Sequence, residues 1–369
     1  MSEILDILRQ EIRNQGPISI SRYMEMCLLD PDLGYYVKRD PLGIKGDFTT
    51  APEISQMFGE LIGLWAIEVW QQTGSPDRFQ LVEFGPGRGT LMSDALRAAD
   101  MVSPFPNALK LHLVEISEIF RDIQSSKLSR YQPKWHDDLT TLPDGPMIII
   151  ANEFFDALPI RQFERRSEGW HERLVGLSTS QGLELVLSGK QVNSSLIPAR
   201  HRNAPYGSII EICPVAQDIL AQVSGTIGRY GGALLIIDYG HDGSLAGDSF
   251  QSVKRHRFHP PLENPGQADL TAHVNFGELI DASKSESTAV YGPLTQRDFL
   301  LRMGIQARAE ILSKHADANS KDDIYKSLRR LIDHREMGEE FKVLVINSTK
   351  MQVPPGFEDC GALDFKNNV

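Results

Sequence analysis

Cysteine is nearly missing from this chain. Cys27, Cys213 and Cys360 are the only three in 369 residues, and no Cys-x-x-Cys pair occurs. That scatter excludes a disulfide framework and a cysteine-ligated zinc site, and reads as buried thiols in a reducing compartment. Long apolar runs are missing too: none approaches the roughly 20 residues that span a bilayer, so no membrane insertion is expected. The first residues, MSEILDILRQEIRNQG, lack the apolar core of a signal peptide, and Glu3, Asp6 and Glu11 are wrong for an Arg-rich transit peptide. The expected location is the cytoplasm. A basic surplus is the third absence. A net charge of −11, with acids and bases mixed along the chain, gives no electrostatic footprint for nucleic acid or an anionic membrane. His241, His256 and His259 do not make a metal spacing, so no metal is expected.

What is present is an ordinary folding composition, 41% hydrophobic and 24% charged, with length for two domains or one domain carrying large insertions. Residues 1–78 read as helical. Ile4, Leu5, Ile7, Leu8 and Ile12 give a helix-spaced apolar face, stopped by Gly16-Pro17, and a second helix runs from Ser19 or Ser21 to Leu29. The Gly- and Asp-rich loop over residues 31–50 is longer than a connection requires and reads as a cover for a ligand. It ends where Thr50 and Glu53 are spaced as a capping box, with Pro52 in the first turn, for a long helix over 54–72. From Phe79 the pattern becomes strand, turn, helix. QLVEF, KLHLVEI, PMIIIAN and GGALLIIDYG are continuous apolar strands alternating with helices, which implies a parallel sheet covered on both faces. Residues 160–190 alternate as a β-meander, and FKVLVINS is a last strand.

The stretch VEFGPGRGT, residues 82–90, is a glycine turn leaving a strand. It lacks the Gly-Lys-Ser/Thr of a P-loop, and Thr90 stands where a dinucleotide fingerprint needs its third glycine. Glu83, two residues before Gly85, would repel a diphosphate by a few kcal/mol in a partly buried site. A ligand carrying both an ammonium and a carboxylate suits it better: the turn made by Gly85, Pro86, Gly87 and Gly89 can face its N–H groups to the carboxylate, while Glu83 meets the cation. S-adenosylmethionine is such a ligand, and E-x-G-x-G-x-G is the methyltransferase form of the motif.

The next strand ends in Glu115, where a carboxylate can accept both ribose hydroxyls. A third ends near Asp137 and Asp138, either of which could meet the adenine amino group or cap the following turn. At the fourth strand's edge, Asn152, Glu153 and Asp156 bring two carboxylates and an amide together, suited to binding an acceptor amine or guanidinium and aiming its lone pair. Glu153 is the expected main acceptor carboxylate; Asn152 or Asp156 could instead cap a following helix. His241, at the end of the fifth strand, and His273 are further candidates for the pocket.

Six stretches in order, GPISISRYMEMCLLDPDLGYY, GDFTTAPEISQMFGE, VEFGPGRGTL, NEFFDALP, IDYGH and DLTAHVNF, resemble the MidA family of S-adenosylmethionine-dependent methyltransferases over nearly the whole chain. That family includes a mitochondrial complex I assembly-factor arginine methyltransferase and bacterial relatives. The resemblance implies an α/β, class I, Rossmann-like fold: a doubly wound, mostly parallel, seven-stranded sheet with an N-terminal helical extension, a β-meander and helical insertions. It implies S-adenosylmethionine as cofactor, a protein substrate of complex I type, symmetric arginine dimethylation, and a lid in which Asp47 and Thr50 close over cofactor and acceptor. The mitochondrial relatives carry His at the position of Asn152, so the resemblance gives that side chain no shared role. The missing presequence points to a bacterial cytoplasmic member, and a homodimer is compatible with the sequence. The organisation expected is a helical extension with lid loop over 1–78, a methyltransferase domain over 79–350 with insertions at about 160–208 and 295–338, and a flexible tail over 351–369. The rival readings are a noncatalytic assembly chaperone and a dinucleotide oxidoreductase.

Overall fold

The computed structural model describes residues 3–38, 43, 49–244, 246–314 and 316–363. Contacts divide the chain into two interleaved compact units, one of residues 1–48, 156–217 and 241–278, the other of 49–155, 218–240 and 279–369.

The first unit begins with helix Glu3–Gln15, whose buried Ile4, Leu8 and Ile12 recur at the spacing of one helical face. Helix Ile20–Leu29 follows, capped by Ser19, whose side chain accepts the Arg22 N–H. These helices share a core with Val175, Phe250 and Leu270. The expected meander is there as strands Arg161–Arg165, Trp170–Leu177 and Leu183–Gln191, part of a five-stranded antiparallel sheet. Cys27 is buried here, which pushes its thiol up to about 12 and leaves it inert.

The second unit holds the parallel sheet. Its strands are β1 (Phe79–Phe84), β2 (Leu109–Val114), β3 (Lys134–His136), β4 (Met147–Asn152), β5 (Gly232–His241), β6 (Thr288–Thr295) and β7 (Phe341–Ser348). They lie in the order 3-2-1-4-5-7-6. The first five pair in parallel, and β7 runs antiparallel to both of its neighbours. Every residue of β1 and β4 is buried, which is why β4 reads as an apolar run and why Gln80 and Glu83 of β1 are buried polar groups. Helices α1 (Gln56–Gln72) and α2 (Thr90–Ala99) contribute Leu61, Trp65, Leu91 and Leu96 to one core with Leu81, Ile148 and Ile150 of the sheet. Helix α3 (Glu118–Leu128) follows β2. This is the mostly parallel, doubly wound α/β architecture that the resemblance implies. Strand order reverses between β2 and β4 on either side of β1, so ligands belong at the carboxyl ends of these strands.

Two expectations fail locally. The helix expected over 54–72 starts two residues later, at Gln56: Ala51–Ile54 makes a separate helical turn, Ser55 is extended, and its hydroxyl accepts the Met57 N–H to start α1. Thr50 makes no side-chain cap bond there: the Glu53 N–H goes to the Thr50 carbonyl at 3.0 Å, and the Glu53 carboxylate turns to Thr90 and Arg88. The tail expected to fray from Met351 is anchored as far as Phe357, fully buried against Phe299 and Tyr291.

Candidate active site

The glycine turn after β1 is built by backbone demand. Gly85, Gly87 and Gly89 have φ of +58°, +51° and +69°, a region where a Cβ collides with the following carbonyl oxygen. A Cβ on Gly85 would also come to 3.0 Å from Phe154 Cδ2. The Gly89 N–H closes the turn on the Pro86 carbonyl at 2.8 Å, and Gly89 caps α2. Backbone N–H groups and a helix N-terminus therefore lie together, a setting that favours an anionic group.

Beside it stand two buried acids. Glu83 is 3% exposed, and its Oε2 has no partner among the described residues. Burial, reinforced by Glu115, pushes its carboxyl up to about 8. Glu115 is raised to about 7, chiefly by burial, although its Oε1 accepts the Ser117 N–H at 2.8 Å and its Oε2 accepts Gln124 Nε2 at 3.2 Å. A site with two such acids lacks a positive charge. Diphosphate would worsen the imbalance, whereas a cationic amino-acid tail corrects it. The residues fit S-adenosylmethionine: the glycine turn for its carboxylate, Glu83 for its ammonium, Glu115 for its ribose.

The raised acids set a pH dependence. Between the ordinary carboxylate value of 4.5 and about 8, folded Glu83 keeps a proton that the unfolded chain has released. Stability of the ligand-free protein must then fall as pH rises through that window. The Glu83→Gln variant should have the flatter Tm-versus-pH curve in thermal melts from pH 5 to 8. Parallel curves for the two proteins would remove Glu83 as the source.

At the end of β3, the Asp138 Oδ1 accepts the Thr140 N–H at 2.7 Å and so caps the turn Leu139–Thr141. Asp137 instead pairs with Arg121 at 2.6 Å, and Arg121 also donates to the Glu115 carbonyl at 2.7 Å. Asp137 is thereby linked to the strand end that carries Glu115.

Strand β4 ends in a strained turn. Glu153 has φ of +50°, a conformation that costs a residue with a side chain about 1–2 kcal/mol and clusters at functional positions. Its N–H is held by the Ile237 carbonyl at 2.9 Å. Its Oε1 accepts the Ala51 N–H at 3.0 Å and Asn152 Nδ2 at 3.2 Å. The Asn152 Oδ1 is buried without a partner among the described residues. No helix follows, so neither Asn152 nor Asp156 is a cap. The turn is held by Asp238 of β5, which is fully buried and accepts the N–H groups of Phe154, Phe155 and Tyr239 at 3.2, 2.9 and 3.0 Å. The Asp238→Asn variant should lose about 3 kcal/mol of stability, since charge-assisted bonds to buried N–H groups are among the strongest. Urea unfolding checks it, and an unchanged midpoint would contradict it.

The remaining candidates divide. Thr50 stands beside Ala51, whose N–H reaches Glu153. Asp156, His241 and His273 belong to the other unit. There the Asp156 carbonyl accepts the Ala272 N–H, His241 Nδ1 accepts the Gly243 N–H, and the His273 N–H donates to Ser249 Oγ. Burial, then His273, lowers the His241 pKa. Asp47, with residues 39–42 and 44–48 of the proposed lid, lies outside the described residues. No group of three or more His, Cys, Asp or Glu among the described residues could hold a metal.

Sequence reasoning missed two residues that organise this edge. Gln124 left a signal, a lone amide on the buried face between Phe120 and Leu128. Glu53 was assigned to a cap its spacing suggested, and nothing local marked its bonds to Thr90 and Arg88.

Sheet order, glycine turn and strand-end acids together define a class I S-adenosylmethionine-dependent methyltransferase. Residues 61–294 match the family model described as S-adenosyl-L-methionine-dependent methyltransferase. The protein arginine methyltransferase NDUFAF7 of Danio rerio mitochondria is 38% identical over 375 residues, covering 94% of this chain and 88% of that protein. The Homo sapiens protein of the same name is 36% identical over 373 residues, covering 94% and 83%. A crystal structure from Burkholderia thailandensis, of a protein inferred to be a methyl transferase and bound to S-adenosyl-homocysteine, superposes with a TM-score of 0.84 at 27% identity, covering 98% of this chain and 95% of that one. The chain belongs to the MidA-like family of S-adenosylmethionine-dependent methyltransferases.

Proposed function

We propose that the protein methylates arginine in a protein substrate, adding methyl groups to the ω-nitrogens symmetrically, and that the substrate is a subunit of complex I type. Support comes from Glu153: a carboxylate held in a strained turn at the carboxyl end of β4 is placed to pair with a guanidinium. The names of the relatives point the same way.

Bound S-adenosylmethionine supplies a methyl group already activated on a sulfonium, so little acid–base help is needed. Glu153 binds the guanidinium, favours the positive charge that grows on the attacking nitrogen, and orients its lone pair in line with the methyl carbon. It can also take the proton that nitrogen gives up, S-adenosyl-homocysteine being the other product. The Ala51 N–H and Asn152 hold Glu153 in that orientation. Asp156 is assigned the second acceptor carboxylate, and Asp47, His241 and His273 the acceptor side and lid. No described helix is long and apolar enough to cross a membrane.

The test is incubation of a purified complex I type subunit with the protein and S-adenosylmethionine, followed by tandem mass spectrometry. Symmetric dimethylarginine is the expected product. Methylation on lysine or a terminus, or none on any subunit offered, would overturn the acceptor assignment while leaving cofactor binding intact.

A further inference from the structure

The cofactor edge contains a side chain whose bonding no cofactor contact explains. Gln124 is fully buried on α3, on the stripe it shares with Phe120 and Leu128. Its Nε2 donates to the Gly87 carbonyl at 2.7 Å and to Glu115 Oε2 at 3.2 Å. Its Oε1 accepts the Trp135 indole N–H at 2.8 Å. An indole N–H can only donate, so the amide has one orientation, and both of its hydrogens are committed.

We propose that Gln124 is a positioning residue for the cofactor, fixing the glycine turn, the ribose carboxylate and the end of β3 as one unit through its two donors. The proposal rests on the cofactor site described above. Holding the Gly87 carbonyl toward α3 turns the opposite side of that trans peptide, the Arg88 N–H, away from the helix. The second donor fixes Glu115 Oε2, and Ser117 fixes Oε1, so the carboxylate cannot rotate. The acceptor holds Trp135, one residue before the strand end at His136, whose carbonyl accepts the Glu115 N–H. The side chain also lies under the turn, for a Cβ on Gly89 would meet Gln124 Cγ at 3.4 Å. An apolar residue could fill the volume but could make none of these bonds, and a carboxylate would reverse the two donated ones.

Two variants separate donation from packing. The Gln124→Met variant keeps the size and loses both donors. The Gln124→Glu variant is ionised at high pH, where it faces Glu115 as a like charge; protonated, it can donate one of the two bonds. Of the charged groups nearby, Glu115 is bonded to Gln124 and is acted on by Arg121, while Glu83 is acted on by Glu115 and Lys127. Affinity for S-adenosyl-homocysteine is measured by calorimetry at pH 6 and pH 8 on wild type and both variants, with Tm recorded for each.

Gln124→Met should bind at least tenfold more weakly than wild type at both pH values. Gln124→Glu should bind at least tenfold more weakly at pH 8 and recover to within about threefold at pH 6. Two outcomes overturn the proposal: a folded Gln124→Met protein with wild-type affinity, or a Gln124→Glu deficit equal at both pH values. Should Gln124→Met fail to fold, the pH response of Gln124→Glu decides alone. Failure of wild type to bind would refute the cofactor site itself, a separate result.

Discussion

Replacing Gly87 by valine is expected to abolish S-adenosylmethionine binding while leaving the parallel sheet folded. Gly87 sits at φ of +51° in the middle of the turn. Any side chain there costs about 1–2 kcal/mol, and a β-branched one more, because its two γ-carbons crowd the neighbouring peptides. The chain can escape only by moving that residue to negative φ. This swings the Gly87 carbonyl off Gln124, 2.7 Å away, and turns the adjoining N–H away from the ligand carboxylate. The sheet does not depend on this turn for its core, so strain is released by local rearrangement rather than unfolding. Affinity for S-adenosyl-homocysteine should fall at least hundredfold, roughly 2.7 kcal/mol or more, with circular dichroism unchanged and Tm lowered by a few degrees. Calorimetry gives the answer, and a dissociation constant within threefold of wild type would show that the turn does not hold the cofactor.

The Glu153→Gln variant should do the opposite, keeping the cofactor and losing the reaction. A glutamine preserves the shape, tolerates the turn as the native residue does, and keeps an oxygen for the Ala51 N–H 3.0 Å away. It loses the charge that a guanidinium pairs with and presents one acceptor oxygen where a bidentate partner needs two. Removing one electrostatic contact to a charge that develops during reaction typically costs about 10²–10³ in rate. The expected result is therefore a fall in kcat of at least a hundredfold, with cofactor affinity within threefold of wild type. Single-turnover assays with a peptide acceptor, run beside calorimetry, measure the two quantities separately. Full activity would remove Glu153 from the acceptor side; lost cofactor binding would move its role to the cofactor.

Asp238 and Gln124 give these two predictions their structural basis through bonds to the turns themselves. Asp238 of β5 holds three N–H groups around the Glu153 turn, and Gln124 of α3 holds the glycine turn and Glu115. Each uses a fully buried polar group with several partners, which is costly unless every bond is made. The turns at the ends of β1 and β4 are thus set by residues 37 and 84 positions away in the chain.

The sequence by itself determined the features that are local. Mostly apolar runs bounded by turns marked strands buried on both faces, and the local sequence showed Glu83 before three spaced glycines and acids at the ends of β2 and β4. Tertiary structure decided what depends on a distant partner. The Thr50–Glu53 spacing permits a cap, but Thr90 and Arg88 offer Glu53 better partners across the fold. The tail has a fraying composition, yet Phe357 finds Phe299. Asp137 and Asp138 are equivalent in sequence and are told apart only by Arg121 and Thr140. A hydrogen-bonding side chain carries its capacity in its chemistry, but its choice among partners is a competition of distance and burial that exists only once the chain has folded.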